Sequence, residues 1–171
     1  ILFLYPNAIM QNPPPISIAL FYALLKNNRN LDIKLFDTTF YNIEEKTSDK
    51  TKEENLQVKP FNFAERGISL KYTNIYTDFK KLVFEFQPDL IAMSCNEITY
   101  NLGLSLLNYI SEYKCLKIAG GVFPTFAPEI MLNNENIDMV CIGEGEITIV
   151  KLIENLIINE NFFDVPNLWI K

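Results

Sequence analysis

The 171 residues are 49 % hydrophobic and 21 % charged, enough for one solid core and too apolar for a disordered chain. With 21 acidic against 15 basic side chains, a net charge of −6 excludes an electrostatic nucleic-acid binder and disfavours an anionic membrane surface. Histidine is absent, which removes histidine metal sites, Ser–His and Cys–His nucleophile pairs and imidazole acid–base catalysis together.

The chain opens on Ile-Leu-Phe-Leu-Tyr, without methionine, and reads as a fragment of a longer protein. This run, residues 1–5, is too short for a signal peptide or a membrane span and has the length of a buried strand. A proline- and amide-rich loop follows, and then Ile18, Phe21, Tyr22 and Leu25 at helical spacing. The second strand is expected over 31–36, ending at Asp37. Residues 44–54 hold no apolar side chain. They predict a solvated surface insertion, placed at about 44–70, with a docking surface for another domain as the alternative. Residues 58–72, with Pro60, Phe61, Phe63 and Gly67, read as ordered but irregular.

Phe79, Leu82, Val83 and Phe86 predict the next helix, 90–94 the third strand, and Leu102, Leu106, Ile110 and Tyr113 the helix after it. The fourth strand is expected at 116–119, a short helix from Pro128 to about Asn133, and the fifth strand at 139–142. Ile149, Ile153 and Leu156 mark the last helix. The strands are continuous apolar runs, which means a parallel sheet covered on both faces. The expectation is an α/β, flavodoxin-like (Rossmann-like) three-layer sandwich with five parallel strands in the order 2-1-3-4-5.

Cys95, Cys115 and Cys141 sit in or beside apolar runs with no C-x-x-C spacing and read as buried free thiols, which fits a reducing, cytoplasmic setting. Ligands of a doubly wound sheet bind beyond the carboxyl ends of its strands. The loop after the first strand has no glycine, so a G-x-G-x-x-G dinucleotide site fails; no P-loop exists. A flavodoxin would need a hydroxyl- and glycine-rich loop there, and a receiver domain an acidic pair. Two glycine turns remain. Gly120-Gly121 permits close backbone approach by a flat or bulky ligand or simply turns the chain. Gly143-Glu-Gly-Glu146 opens the last helix, with Glu146 read as its cap and Glu144 free to face a pocket or a neighbouring domain.

Together, Gly120-Gly-Val-Phe-Pro-Thr-Phe-Ala-Pro-Glu129 and Ile137-Asp-Met-Val-Cys-Ile-Gly-Glu-Gly-Glu146 resemble the N-terminal cobalamin-binding domain of cobalamin-dependent radical SAM enzymes. Pro13-Pro14, Pro88-Asp-Leu-Ile-Ala-Met-Ser94 and the closing Val165-Pro-Asn-Leu-Trp169 support the resemblance, which covers essentially the whole of 1–171. It implies a module that binds cobalamin for a radical SAM barrel downstream, in methyl transfer. In related domains the nucleotide tail enters beside a serine on the third strand and a glycine pair after the fourth; Ser94 and Gly120-Gly121 match. The implied cofactor-binding set is Tyr5, Pro6, Asn7, Pro14, Asp37, Thr38, Ser94, Cys95, Asn96, Glu97, Gly120, Gly121, Val122, Phe123, Pro124, Thr125, Gly143, Glu144 and Gly145. No catalytic or metal-ligating residue is assigned.

Mutases and methionine synthase carry D-x-H-x-x-G after the first strand, and this loop has neither the histidine nor the glycine. Cobalamin would therefore be base-off, with Asn7 or Met10 as candidates to approach its lower face. No C-x-x-x-C-x-x-C run occurs, so S-adenosylmethionine and a [4Fe-4S] cluster are expected in the downstream domain. Two readings compete: a vestigial scaffold that binds no cobalamin, and an enzyme using Asp37, Glu97 or Glu144 as general base.

Overall fold

Five parallel strands lie in the expected order, and a sixth joins them antiparallel, which the sequence reading did not foresee. The computed structural model describes residues 1–9, 11–43, 48–59 and 62–171; Met10, Pro60, Phe61 and residues 44–47 of the charged insertion lie outside them. In chain order the elements are β1 (Leu2–Tyr5), α1 (Ile16–Leu25), β2 (Lys34–Asp37), α2 (Ser48–Glu54), α3 (Ile75–Phe86), β3 (Leu90–Ser94) and α4 (Tyr100–Tyr109). Then come β4 (Leu116–Gly120), α5 (Val122–Phe126), α6 (Pro128–Leu132), β5 (Met139–Cys141), α7 (Glu146–Ile157) and β6 (Leu168–Ile170). The sheet order is β2-β1-β3-β4-β5-β6.

Both faces of the sheet are covered, as the continuous apolar runs require. Leu2, Leu4, Ile91 and Met93 pack with Phe79 and Val83 of α3 and Leu106 and Leu107 of α4. On the other face Phe3, Ala92 and Ile118 pack with Ile18 and Leu25 of α1 and Ile149, Leu152 and Ile153 of α7. The period-2 alternation of each strand thus serves two separate layers.

Local chemistry sets the element ends. The Asn74 carboxamide accepts from the N–H groups of Tyr76 and Thr77 at 3.0 and 3.1 Å and caps α3. Gln87, in the left-handed region at φ 52°, stops that helix before Pro88. At α7 the cap position is Gly145, with no side-chain cap, so Glu146 does not cap; it is a first-turn acid that complements the dipole.

Other expectations shift. β2 spans Lys34–Asp37 rather than 31–36, and only Phe36 is buried in it, because it is the sheet edge. α4 ends at Tyr109, leaving Tyr113 beyond the helix, where its hydroxyl donates to the Pro88 carbonyl at 3.2 Å. Cys115 is half-buried, whereas Cys95 and Cys141 are buried as expected. Within the insertion, Ser48–Glu54 is helical and Ala64–Arg66 forms a 3-10 turn. Among the described residues no helix is long and apolar enough to cross a membrane.

Candidate functional site

Strand order reverses between β1 and β3: the chain leaves β1 toward α1 on one face and β3 toward α4 on the other. That divergence opens a crevice at the carboxyl edge. A cleft of about 590 Å³ lies there and runs inward between the sheet and helices α1 and α7.

The mouth is built on strand ends. Tyr5, Ser94 and Gly120 close β1, β3 and β4 on the face toward α1 and α7, and all three line the cleft. One alternation inward, the same face presents Phe3, Ala92 and Ile118, also lining it. Phe3 is in register with Ala92, and Ala92 with Ile118. The row therefore reads large, small, large, and the alanine leaves a slot between its neighbours. Phe21 of α1 and Ile149 of α7 border this slot from the helix layer. Phe3 and Phe21 stack with ring centroids 6.0 Å apart.

The two glycine turns are one structure. Gly121 has φ 105° and ψ −167°, a conformation open in practice only to glycine. A Cβ there would stand 2.5 Å from the carbonyl oxygen of Cys95. A Cβ on Gly120 would meet only the Cβ of Cys141, at 3.7 Å, so its absence leaves space at the mouth. Thr125 joins this turn to the next: its Oγ1 donates to the Gly121 carbonyl at 2.8 Å and accepts from the Gly143 N–H at 3.0 Å. Asn167, at the entry to β6, donates from Nδ2 to the Glu144 carbonyl at 3.2 Å and fixes the outer rim.

A directed chain of hydrogen bonds holds the loops after β3, β1 and β2 together. Thr99 Oγ1 donates to Asn96 Oδ1 at 3.2 Å, Asn96 Nδ2 to Asn12 Oδ1 at 2.6 Å, and Asn12 Nδ2 to Asn7 Oδ1 at 3.0 Å. Asn7 Nδ2 then donates to Thr39 Oγ1 at 2.9 Å, and Thr39 Oγ1 to the Asp37 carboxylate at 2.5 Å. Every donor points toward the one charged acceptor, so each bond polarises the next.

Of the residues singled out from sequence, Tyr5, Pro14, Ser94, Cys95, Asn96, Gly120, Gly121, Val122, Thr125, Gly143, Glu144 and Gly145 line the cleft. The others do not. Asn7 is buried, its amide spent on Asn12 and Thr39. Thr38 is buried beneath it, exchanging hydrogen bonds with the Asn7 backbone. Asp37 accepts from both the N–H and the hydroxyl of Thr39. Pro6 faces α4, Phe123 stacks on Tyr100 at 4.1 Å, Pro124 is buried, and Glu97 is exposed. The inner row of Phe3, Ala92 and Ile118 was missed; stepping back two residues along each strand from Tyr5, Ser94 and Gly120 finds it.

Burial pushes the Cys95 thiol up to about 12 and raises that of Cys141, so both are neutral thiols rather than nucleophiles. Burial and then the Asp37 charge raise the Tyr5 phenol, which stays a donor to the Pro13 carbonyl at 2.8 Å. Among the described residues no group of three or more Cys, Asp or Glu side chains is placed to hold a metal ion.

No protein-family model and no curated protein matches the chain. Solved structures do. The radical S-adenosylmethionine methyltransferase TsrM from Kitasatospora setae, with tryptophan substrate and a SAM analogue bound, superposes with a TM-score of 0.70 at 14 % identity, over 98 % of this chain and 27 % of its own. TsrM with cobalamin and a [4Fe-4S] cluster bound gives 0.69 at 14 %, over 98 % and 28 %. The cobalamin-dependent S-adenosylmethionine radical enzyme OxsB with aqua-cobalamin bound gives 0.65 at 19 %, over 98 % and 20 %. At these identities the likeness establishes the fold, and this chain spans well under half the length of either protein.

Proposed function

We propose, from a fold shared with parts of two cobalamin-bound radical SAM enzymes, that this chain is a cobalamin-holding module for a radical SAM domain acting in methyl transfer. The observation that carries the reading is the slot over Ala92, open at the carboxyl edge beneath the Gly120-Gly121 turn.

Cobalamin combines a broad macrocycle edged with amides and a narrow tail ending in a flat aromatic base. The base is the narrow part and would enter the slot, with the macrocycle across the mouth. The fit rests on three features. Gly120 lacks the side chain that would fill the mouth. Asn12 and Asn96, joined at 2.6 Å, make a fixed polar rim for an amide-edged ligand to lie against. Ser94 adds a hydroxyl beside the glycine pair. With no histidine in the chain, no imidazole from it would reach the cobalt, and a base held in the slot would leave the cofactor base-off.

When bound, cobalamin supplies a carrier for a methyl group. This chain's residues bind and orient it and supply no acid or base to the reaction. The S-adenosylmethionine and [4Fe-4S] sites belong on this reading to the second domain, and the neutral thiols suit a reducing, cytoplasmic setting. An open cleft argues against the vestigial-scaffold reading, which calls for a filled one.

The test is a visible-absorbance titration with hydroxocobalamin and methylcobalamin, followed by gel filtration. Co-elution with a base-off methylcobalamin spectrum is expected. An unchanged spectrum and clean separation, with this chain and with the longer protein that contains it, would overturn the proposal.

A further inference from the structure

We infer that the outward face of α1 pairs with the same face of a second copy of this chain, the two helices running antiparallel about a two-fold axis. The inference stands independently of the cofactor reading.

The first 25 residues contain no charged side chain, and α1 lies wholly within them. Ile18 and Leu25 are buried and Phe21 is half-buried, the stripe at three- and four-residue spacing that seats α1 on the sheet. The opposite side is apolar as well: Ile16 is 74 % exposed, Leu20 42 % and Leu24 47 %. The other helices of similar length carry polar side chains on their outward faces, such as Lys81 and Glu85 on α3, Asn101 and Ser105 on α4, and Lys151 and Glu154 on α7. A helix that is apolar all round belongs in a packed interior, so α1 calls for a cover.

Shape and charge select a second copy as that cover. Ile16, Leu20 and Leu24 form a ridge at four-residue spacing. Ala19 and Ala23, also exposed, form the adjoining row, which is a groove because their side chains are small. The ridge of one copy fits the groove of the other, and a two-fold axis makes both fits at once. The charges lie at the two ends. Lys26 and Arg29 are exposed just past the carboxyl end of α1. Glu144 is exposed beside its amino half: Glu144 shares the cleft rim with Ile16, and a Cβ on the adjacent Gly145 would stand 2.9 Å from the Phe21 ring. Parallel pairing would set like charges together. Antiparallel pairing sets the bases of each copy against the acid of the other and opposes the two helix dipoles. A ten-residue helix is about 15 Å long, and a contact of that length buries less than the roughly 800 Å² per partner of a standard interface, so the dimer is weak and reversible.

Sedimentation equilibrium of the full chain between about 5 and 500 µM tests this. The parent chain is expected to pass from monomer to dimer and stop there. Three variants are compared with it: Leu20→Lys, Lys26→Glu combined with Arg29→Glu, and Glu144→Lys. Each is expected to weaken the dimer about tenfold or more, with circular dichroism showing the fold intact. An equimolar mixture of the two charge variants is expected to restore pairing, because every end contact in it joins opposite charges. A parent chain that stays monomeric throughout, a dimer indifferent to the three variants, or association that continues past the dimer would each overturn the inference. So would a dimer formed by this chain and not by the longer protein that contains it, because another domain then covers the face.

Discussion

Thr125 explains why the two glycine turns occur as a pair. One hydroxyl accepts from the Gly143 N–H and donates to the Gly121 carbonyl, so a turn after β4 and a turn after β5 share a single bolt. Thr125→Val keeps the shape and removes both bonds, and should lower stability by about 1–2 kcal/mol. Thr125→Ser should restore most of it, and urea unfolding of the two variants measures the difference. Gly121→Ala is the harsher change. It places a Cβ 2.5 Å from the Cys95 carbonyl oxygen in a backbone conformation that alanine avoids. A loss of at least about 2 kcal/mol is expected by the same measurement. The glycines and Thr125 were legible in sequence because turns advertise themselves by residue type. Phe3, Ala92 and Ile118 were not, because a small residue between two large ones in a strand looks like ordinary core until its neighbours across the sheet are known.

Loops, rather than strands, set the cleft's outer wall. The chain of bonds from Thr99 through Asn96, Asn12, Asn7 and Thr39 to Asp37 crosses three connections that are far apart in sequence. Asn12 is its middle link and sits at the mouth. Asn12→Ala removes two part-buried side-chain bonds, and should leave strand amides protected from hydrogen exchange while speeding exchange at residues 7–9, 11–12 and 96–99 by roughly tenfold or more. Unchanged exchange there would mean that the prolines alone hold the loop. The elements themselves were largely legible: helix periodicity and buried runs survive without tertiary information. Tertiary pairing decided the rest. β6 is three residues long, with Leu168 and Ile170 half-buried and Trp169 exposed, but Leu-Trp-Ile is uniformly apolar and hid that alternation. β2 shifted because an edge strand needs no continuous apolar run.

Seen whole, the molecule couples its core to alkaline pH. The Cys95 thiol titrates from an ordinary value of 9.0 up to about 12 in the fold, through burial. The folded state holds that proton where the unfolded chain has lost it, so stability is full below pH 9 and falls as pH rises toward 12. Urea midpoints at about pH 8 and 10.5 should differ for the parent chain and differ less for Cys95→Ala, once other alkaline groups such as Tyr41 are subtracted as the residual slope. The antiparallel closing strand has a consequence of another kind. The chain has one tryptophan, Trp169, and β6 sets it half-exposed opposite Val140, one residue before Cys141 at the cleft wall. Corrinoids absorb where indole emits. On the proposed reading the edge strand would carry a built-in optical gauge, its emission dimming without a colour change if a corrinoid fills the cleft and moving to longer wavelength when the strand peels away.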